Sequence, residues 1–221
     1  MHFFLLFYAP CLQKRMRLLE QSLQFLFPET CIHCGAPKVH ELHLCETCWL
    51  EIPSTLQSCT PPKLIQKCWT LGRYDSPLGS LLRRCKYKPE RGILDAVAQR
   101  ITRSKIDIPR SDQVTHVPTP FRRIARRGFD QAQVLAKRIA SSHNIPHASL
   151  LKRLDATPQS SRTERDRQKN LSFRFEAVRP IQRSILLVDD IFTTGSTLEA
   201  CAIALLDQGA EQINAIVVCT R

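Results

Sequence analysis

Two carboxylates and four hydroxyls crowd the nine residues from Asp189 to Thr197. The carboxylates are Asp189 and Asp190; the hydroxyls belong to Thr193, Thr194, Ser196 and Thr197, with Gly195 among them. Carboxylates beside a hydroxyl-rich turn suit a phosphorylated sugar. Backbone N–H groups at a helix start and hydroxyl donors cradle the phosphate. The carboxylates would repel that phosphate, so they are assigned to sugar hydroxyls or to Mg²⁺. The flanking residues supply the elements this needs. Ile185, Leu186, Leu187 and Val188 form a continuous apolar run, as in a buried parallel strand. Leu198, Cys201, Ala202, Leu205 and Leu206 recur at helical spacing. The order is strand, acidic tip, tight loop and helix, with a hydroxyl expected to cap the helix. Carboxylates at the carboxyl end of such a strand stand where open α/β sheets bind ligands.

Other readings of this stretch fail on spacing. A phosphate-binding loop ending in Gly-Lys needs two glycines five apart, and no pair among the seven glycines fits. The same scarcity excludes the dinucleotide fingerprint. A receiver domain with paired aspartates needs several further strands, and too little sequence follows Asp190.

A second constellation is Cys31-Ile-His-Cys34 followed, after ten residues, by Cys45-Glu-Thr-Cys48. Two such turns present four thiolates to one tetrahedral Zn²⁺ and leave no open position for water, so the expected role is structural. Cys59 and Cys68 are too few for a second site. CxxC pairing in a chain of ten cysteines points to metal in a reducing cytosol rather than to disulfides. No apolar run is long enough to span a bilayer.

The motifs together resemble a known family. Residues 185–197, ILLVDDIFTTGST, resemble the loop that binds phosphoribosyl pyrophosphate (PRPP) in type I phosphoribosyltransferases. With the four-cysteine module, residues 116–131 (HVPTPFRRIARRGFDQ) and the pieces TPQS (157–160) and RQKN (167–170), the chain resembles the ComF branch, named for late competence proteins. The resemblance implies an α/β fold, a mostly parallel sheet flanked by helices, behind a small zinc module. It implies PRPP binding at Asp189, Asp190, Thr193, Thr194, Gly195, Ser196 and Thr197, with the two aspartates in the catalytic role if a ribosyl group is transferred. It places Arg122 and Arg123 in or beside a pyrophosphate loop, with Arg126 and Arg127 bordering its helix. Arg165, Arg167, Lys169 and Asn170 become candidate ligands on a flexible catalytic loop. Where the family reads Arg-Gly-Phe-Asn-Gln, this chain carries Asp130; as a helix cap aspartate does the same work, whereas against pyrophosphate it repels.

The remaining chain is read around these motifs. Residues 1–15 hold an apolar run, Phe3 to Ala9, without the grammar of a signal peptide; they read as a disordered lead-in or as sequence ahead of a true start at Met16. Residues 16–62 are expected to hold a helix (Met16–Phe27), the zinc module and a linker from Pro53 to Pro62. The transferase-like domain is expected over 69–221. Its expected strands are Trp69–Tyr74, Val114–Val117, Ser149–Leu154 and Ile213–Val218. Its expected helices are Leu78–Tyr87, Ile93–Arg103 and one after Asp130, and residues 157–170 are expected as a loop.

The net charge of +12 implies an acidic partner. With the resemblance, two functions of different classes are expected: a PRPP-dependent transferase with an unknown acceptor, or a PRPP-sensing module whose basic surface binds single-stranded DNA. The ComF resemblance implies service in DNA uptake in the cytoplasm, with uptake or recombination proteins as partners.

Overall fold

The computed structural model describes residues 30–37, 42–88, 90–104, 108–154 and 174–221. The expected helix at 16–27 and loop at 157–170 lie outside the described residues, as does the lead-in at 1–15. The chain divides into two compact units, Met1–Leu50 and Glu51–Arg221.

In the first unit, residues 30–37 form a tight knuckle. Cys31 N–H donates to Ala36 O at 2.8 Å, Gly35 N–H donates to Cys31 O at 3.0 Å, and Gly35 takes φ 77°. Helix α1 (Glu46–Glu51) begins directly after Cys45 and puts Cys48 in its first turn.

The second unit is built on a five-stranded sheet. Its strands are β1 (Gln57–Cys59), β2 (Lys67–Arg73), β3 (Gln113–His116), β6 (Ser184–Phe192) and β7 (Gln212–Thr220), in the order β1-β2-β7-β6-β3. Only β1 runs antiparallel to its neighbour. The central strands carry apolar residues on both faces, as a parallel sheet covered on both sides requires. One face of β6 and β7 (Ile185, Leu187, Ile213, Ala215, Val217) packs on Leu198, Cys201, Ala202 and Leu205 of the helix Ser196–Leu206. The other face is covered from the side of α2 (Pro77–Tyr87), α3 (Arg91–Thr102) and α5 (Gln131–Ser142), the last packing on β3 and β6. Each fully buried leucine there contributes about 1.5–3 kcal/mol. The helix Phe121–Arg127 is α4, and Ser196–Leu206 is α6. A separate antiparallel pair, β4 (Leu151–Leu154) and β5 (Arg174–Ala177), completes the unit.

Two expectations are corrected. The stretch read as a linker, Pro53 to Pro62, carries β1, whose Cys59 stands opposite Cys68 on β2. It is tied down before that strand: Leu56 N–H donates to Ser104 Oγ at 2.9 Å, and Arg100 Nη1 donates to Ile52 O at 2.8 Å. Helix α6 has no hydroxyl cap; Gly195 caps it at φ 82°. Arg122 and Arg123, expected in or beside a loop, lie on the helix α4 that directly follows Pro120 and that Gly128, at φ 80°, ends.

Candidate functional site

The site is built where the carboxyl ends of β3 and β6 lie side by side. β6 delivers Asp189 as its last buried residue and the half-buried Asp190 directly after it. Asp189 Oδ1 accepts a hydrogen bond from Asp190 N–H at 2.8 Å. Burial, the neighbouring Asp190 and, more weakly, Asp130 push the Asp189 carboxyl well above the usual carboxylate range. Two adjacent carboxylates at a sheet edge, one of them buried, ask for a cation or for hydroxyl donors. The donor set therefore fits a sugar diol or an oxygen-seeking Mg²⁺.

After Phe192 the chain turns outward. Thr193 and Thr194 are exposed, and Thr194 Oγ1 lies 3.1 Å from Ser196 Oγ. Gly195 is required here on two counts. Its φ of 82° belongs to the left-handed region. A Cβ at this position would meet the Phe192 ring and Pro62 Cγ, each at 3.0 Å. Gly195 O accepts from Glu199 N–H at 2.8 Å, which starts α6 and leaves the N–H groups of its first turn beside the hydroxyls.

The β3 side supplies the basic residues. Val117 N–H donates to Val188 O at 2.9 Å, which holds the end of β3 level with the acidic tip. Asp130 then ties the Pro118–Pro120 turn to α5. Its carboxylate accepts from Thr119 N–H (2.9 Å), Thr119 Oγ1 (3.1 Å) and Gln133 N–H (3.3 Å). The expected cap is thus present, and its oxygens are engaged within the protein.

Arg127 is buried. Its Nη1 donates to Gln131 Oε1 at 3.5 Å, while Arg127 Nε and Gln131 Nε2 have no partner. Burial lowers the pKa of this guanidinium, and Asp190 and Asp130 act against that, so Arg127 lies within electrostatic reach of the acidic tip. Arg122, Arg123 and Arg126 are exposed on α4. Arg165, Arg167, Lys169 and Asn170 lie outside the described residues. The orphaned amide of Gln131 was not legible in the sequence; only its burial beside Arg127 marks it.

In the first unit, Cys31, Cys34, Cys45 and Cys48 bring their sulfurs within 4.8 Å of one another, the only such cluster among the described residues. Cys34 Sγ and Cys45 Sγ are 3.6 Å apart, and Cys48 N–H donates to Cys45 Sγ at 3.5 Å. Burial opposes ionisation of Cys31, yet hydrogen bonding from the backbone of Cys34, Cys45 and His33 brings its pKa down to about 6. Four sulfurs in this arrangement fit tetrahedral Zn²⁺.

Known proteins match both parts. The phosphoribosyl transferase domain family matches residues 123–221, and the double zinc ribbon domain family matches residues 22–61. Over 195 residues the chain is 30% identical to Competence protein F of Haemophilus influenzae, which covers 83% of this chain and 81% of that protein. It is 30% identical over 198 residues to the DNA utilization protein YhgH of Escherichia coli, covering 86% and 83% of the two chains. It is 27% identical over 195 residues to Competence protein ComFC of Bacillus subtilis, covering 86% and 77%. With a four-cysteine zinc-ribbon module ahead of a type I phosphoribosyltransferase fold, the chain belongs to the ComF family.

Proposed function

We propose that this chain binds PRPP, assisted by Mg²⁺, at the carboxyl edge of β6 and β3, and that it serves the handling of incoming DNA in the cytoplasm. The observation that carries the reading is the pairing of Asp189, buried beside a second carboxylate, with a helix start that has no room for a side chain at Gly195. Thr193, Thr194, Ser196 and Thr197 donate to the 5′-phosphate with the first N–H groups of α6. Asp189 and Asp190 accept from the ribose hydroxyls. Arg127 faces the pyrophosphate side, with Arg122 and Arg123 on the same helix, and guanidinium forks suit that anion. Arg165, Arg167, Lys169 and Asn170 would close over the ligand. Mg²⁺ would neutralise the pyrophosphate oxygens. If the chain transfers the ribosyl group, the C–O bond at the anomeric carbon breaks, pyrophosphate leaves with the bonding electrons, and the aspartates stabilise the cationic ribosyl centre.

The role in DNA handling rests on the relatives' names, which speak of competence and DNA utilization. A second reading, single-stranded DNA binding coupled to PRPP, is favoured by the exposed Arg122, Arg123 and Arg126. None of the three pairs with a carboxylate among the described residues.

Calorimetry with PRPP and Mg²⁺ tests the site. Gly195→Val and Asp190→Asn are each expected to weaken binding by about tenfold or more, the loss of one or two charge-assisted hydrogen bonds. Equal affinity for the wild type and both variants places the site elsewhere. Pyrophosphate release on adding nucleobases separates a transferase from a binding module.

A further inference from the structure

The same sheet edge carries a second charged feature, two strands away from the hydroxyl loop. Three cations gather on the ring of Tyr74: Arg83 Cζ at 5.0 Å from its centroid, Lys86 Nζ at 5.5 Å and Arg221 Cζ at 5.5 Å. No carboxylate among the described residues pairs with any of them. Asp75, next in sequence to the ring, is engaged by Arg73 through two hydrogen bonds of 3.0 and 2.8 Å. Arg83 uses two of its five N–H donors on Tyr74 O (3.0 Å) and Ser80 Oγ (2.6 Å), both uncharged, and keeps its charge and the remaining donors. An aromatic face offsets part of the repulsion between such cations, but it does not neutralise them.

The arrangement is held firmly. Tyr74 N–H donates to Thr220 O at 2.8 Å. The Tyr74 carbonyl lies so close over α2 that a Cβ on Gly79 would overlap it. The cluster is also in register with the PRPP-type loop. Arg73, Thr220 and Phe192 stand level across β2, β7 and β6, and Arg221 N–H donates to Phe192 O at 3.0 Å. The next residue on each strand is Tyr74, Arg221 and Thr193. Two strand spacings of about 4.8 Å therefore put the cluster on the order of 10 Å from the hydroxyl loop. The thiol of Cys219 is pushed up chiefly by its burial and then by Asp190, while Arg83 and Lys86 act against that, so it lies within electrostatic reach of both sides.

We propose that Arg83, Lys86 and Arg221 form a second phosphate subsite, which takes the phosphate ester of a nucleotide, free or within a single strand. A stacked base is the wrong occupant, because the cations already use the ring. A phosphate accepts from two guanidinium groups and an ammonium at once. Half-buried Arg83 and Lys86 and exposed Arg221 leave the cluster open to solvent. The subsite extends the PRPP reading by giving the second ligand its own phosphate anchor, yet its existence does not depend on PRPP.

The test uses thymidine monophosphate and a labelled short oligothymidylate as probes, by calorimetry and fluorescence anisotropy, with PRPP titrated separately. Lys86→Gln and Arg221→Gln, each checked to melt with the wild type, are expected to weaken probe binding by about tenfold. For the strand, the slope of log K against log salt should flatten by about 0.7 for each phosphate no longer neutralised. Lys86→Arg should retain binding, and Gly195→Val should lose PRPP while keeping the probes. Loss for the monophosphate alone assigns a free nucleotide; loss for the oligomer assigns a strand. Either supports the subsite. Unchanged binding of both probes in both variants overturns it, as does loss of the probes in Gly195→Val. If the wild type ignores PRPP but binds the probes through Lys86, the PRPP reading fails and the subsite stands.

Discussion

Asp189 carries the energetic tension of the site. A carboxyl buried next to a second carboxylate is held above its ordinary pKa, so the folded chain binds a proton that the unfolded chain has released. Stability contributed at this position is therefore greatest below the unfolded pKa of about 3.9 and falls as pH rises toward the folded value. Asn does not titrate and still accepts from Asp190 N–H through its side-chain oxygen. Asp189→Asn should accordingly stabilise the ligand-free protein at neutral pH by about 1–3 kcal/mol, the scale of the desolvation penalty of one buried polar group. The gain should shrink as pH is lowered toward about 4, the unfolded carboxyl value, and PRPP affinity should fall in the same variant. Urea titrations at several pH values read the first effect, and calorimetry reads the second. A variant less stable than the wild type at neutral pH would show that the protein already compensates this carboxylate. Gain of stability with loss of binding is the pattern expected where a site is strained for its ligand.

At the scale of elements, the turn between β3 and α5 sets where the basic residues stand, and Asp130 sets the turn. Its carboxylate spans eleven residues to Thr119 while capping α5. Asp130→Ala removes three accepted hydrogen bonds, including the cap, and should cost about 1–2 kcal/mol in urea unfolding. A cost within a few tenths of a kcal/mol would mean that water replaces the carboxylate without loss. This double duty shows how far sequence reading reached. That Asp130 caps a helix was legible from its place before an apolar-periodic run; that it binds back to Thr119 was not, because that hydrogen bond depends on where the β3 turn lies. The strand at Ile185–Val188 was legible because its apolar run is continuous; its extension through the aspartates to Phe192 was not, because pairing with the neighbouring strand carries it there. The cap of α6 was not, because hydroxyls and glycine compete for the same position, and Phe192 and Pro62 decide it by closing the space at Gly195. The three-residue strand Gln57–Cys59 was hidden by Pro61 and Pro62, whose turn chemistry outweighs so short a run. Its antiparallel pairing with β2, not its own composition, makes it a strand.

For the whole molecule, the two compact units are stabilised in different ways. The unit Glu51–Arg221 buries a core of leucine, isoleucine and valine on both faces of its sheet. The described part of Met1–Leu50 has little besides Leu44 and its cysteines to bury, far below what a module without a staple needs. Order in these described residues is therefore expected to depend on metal, with metal-binding energy acting as folding energy there. Protein prepared without chelators should carry one tightly held Zn²⁺ per chain on Cys31, Cys34, Cys45 and Cys48. Cys34→Ser, or exhaustive chelation, should expose the module to proteolysis at a site before residue 51 and lower the thermal midpoint. PRPP affinity should stay within about a factor of two, since the proposed ligands all lie in the other unit. Limited proteolysis followed by mass measurement, run beside the PRPP titration, separates the two effects. Zinc-free protein that resists cleavage as the wild type does would remove the structural role of the metal. Loss of PRPP binding in Cys34→Ser, with Glu51–Arg221 still folded by its own melting transition, would instead tie the zinc module to the ligand site.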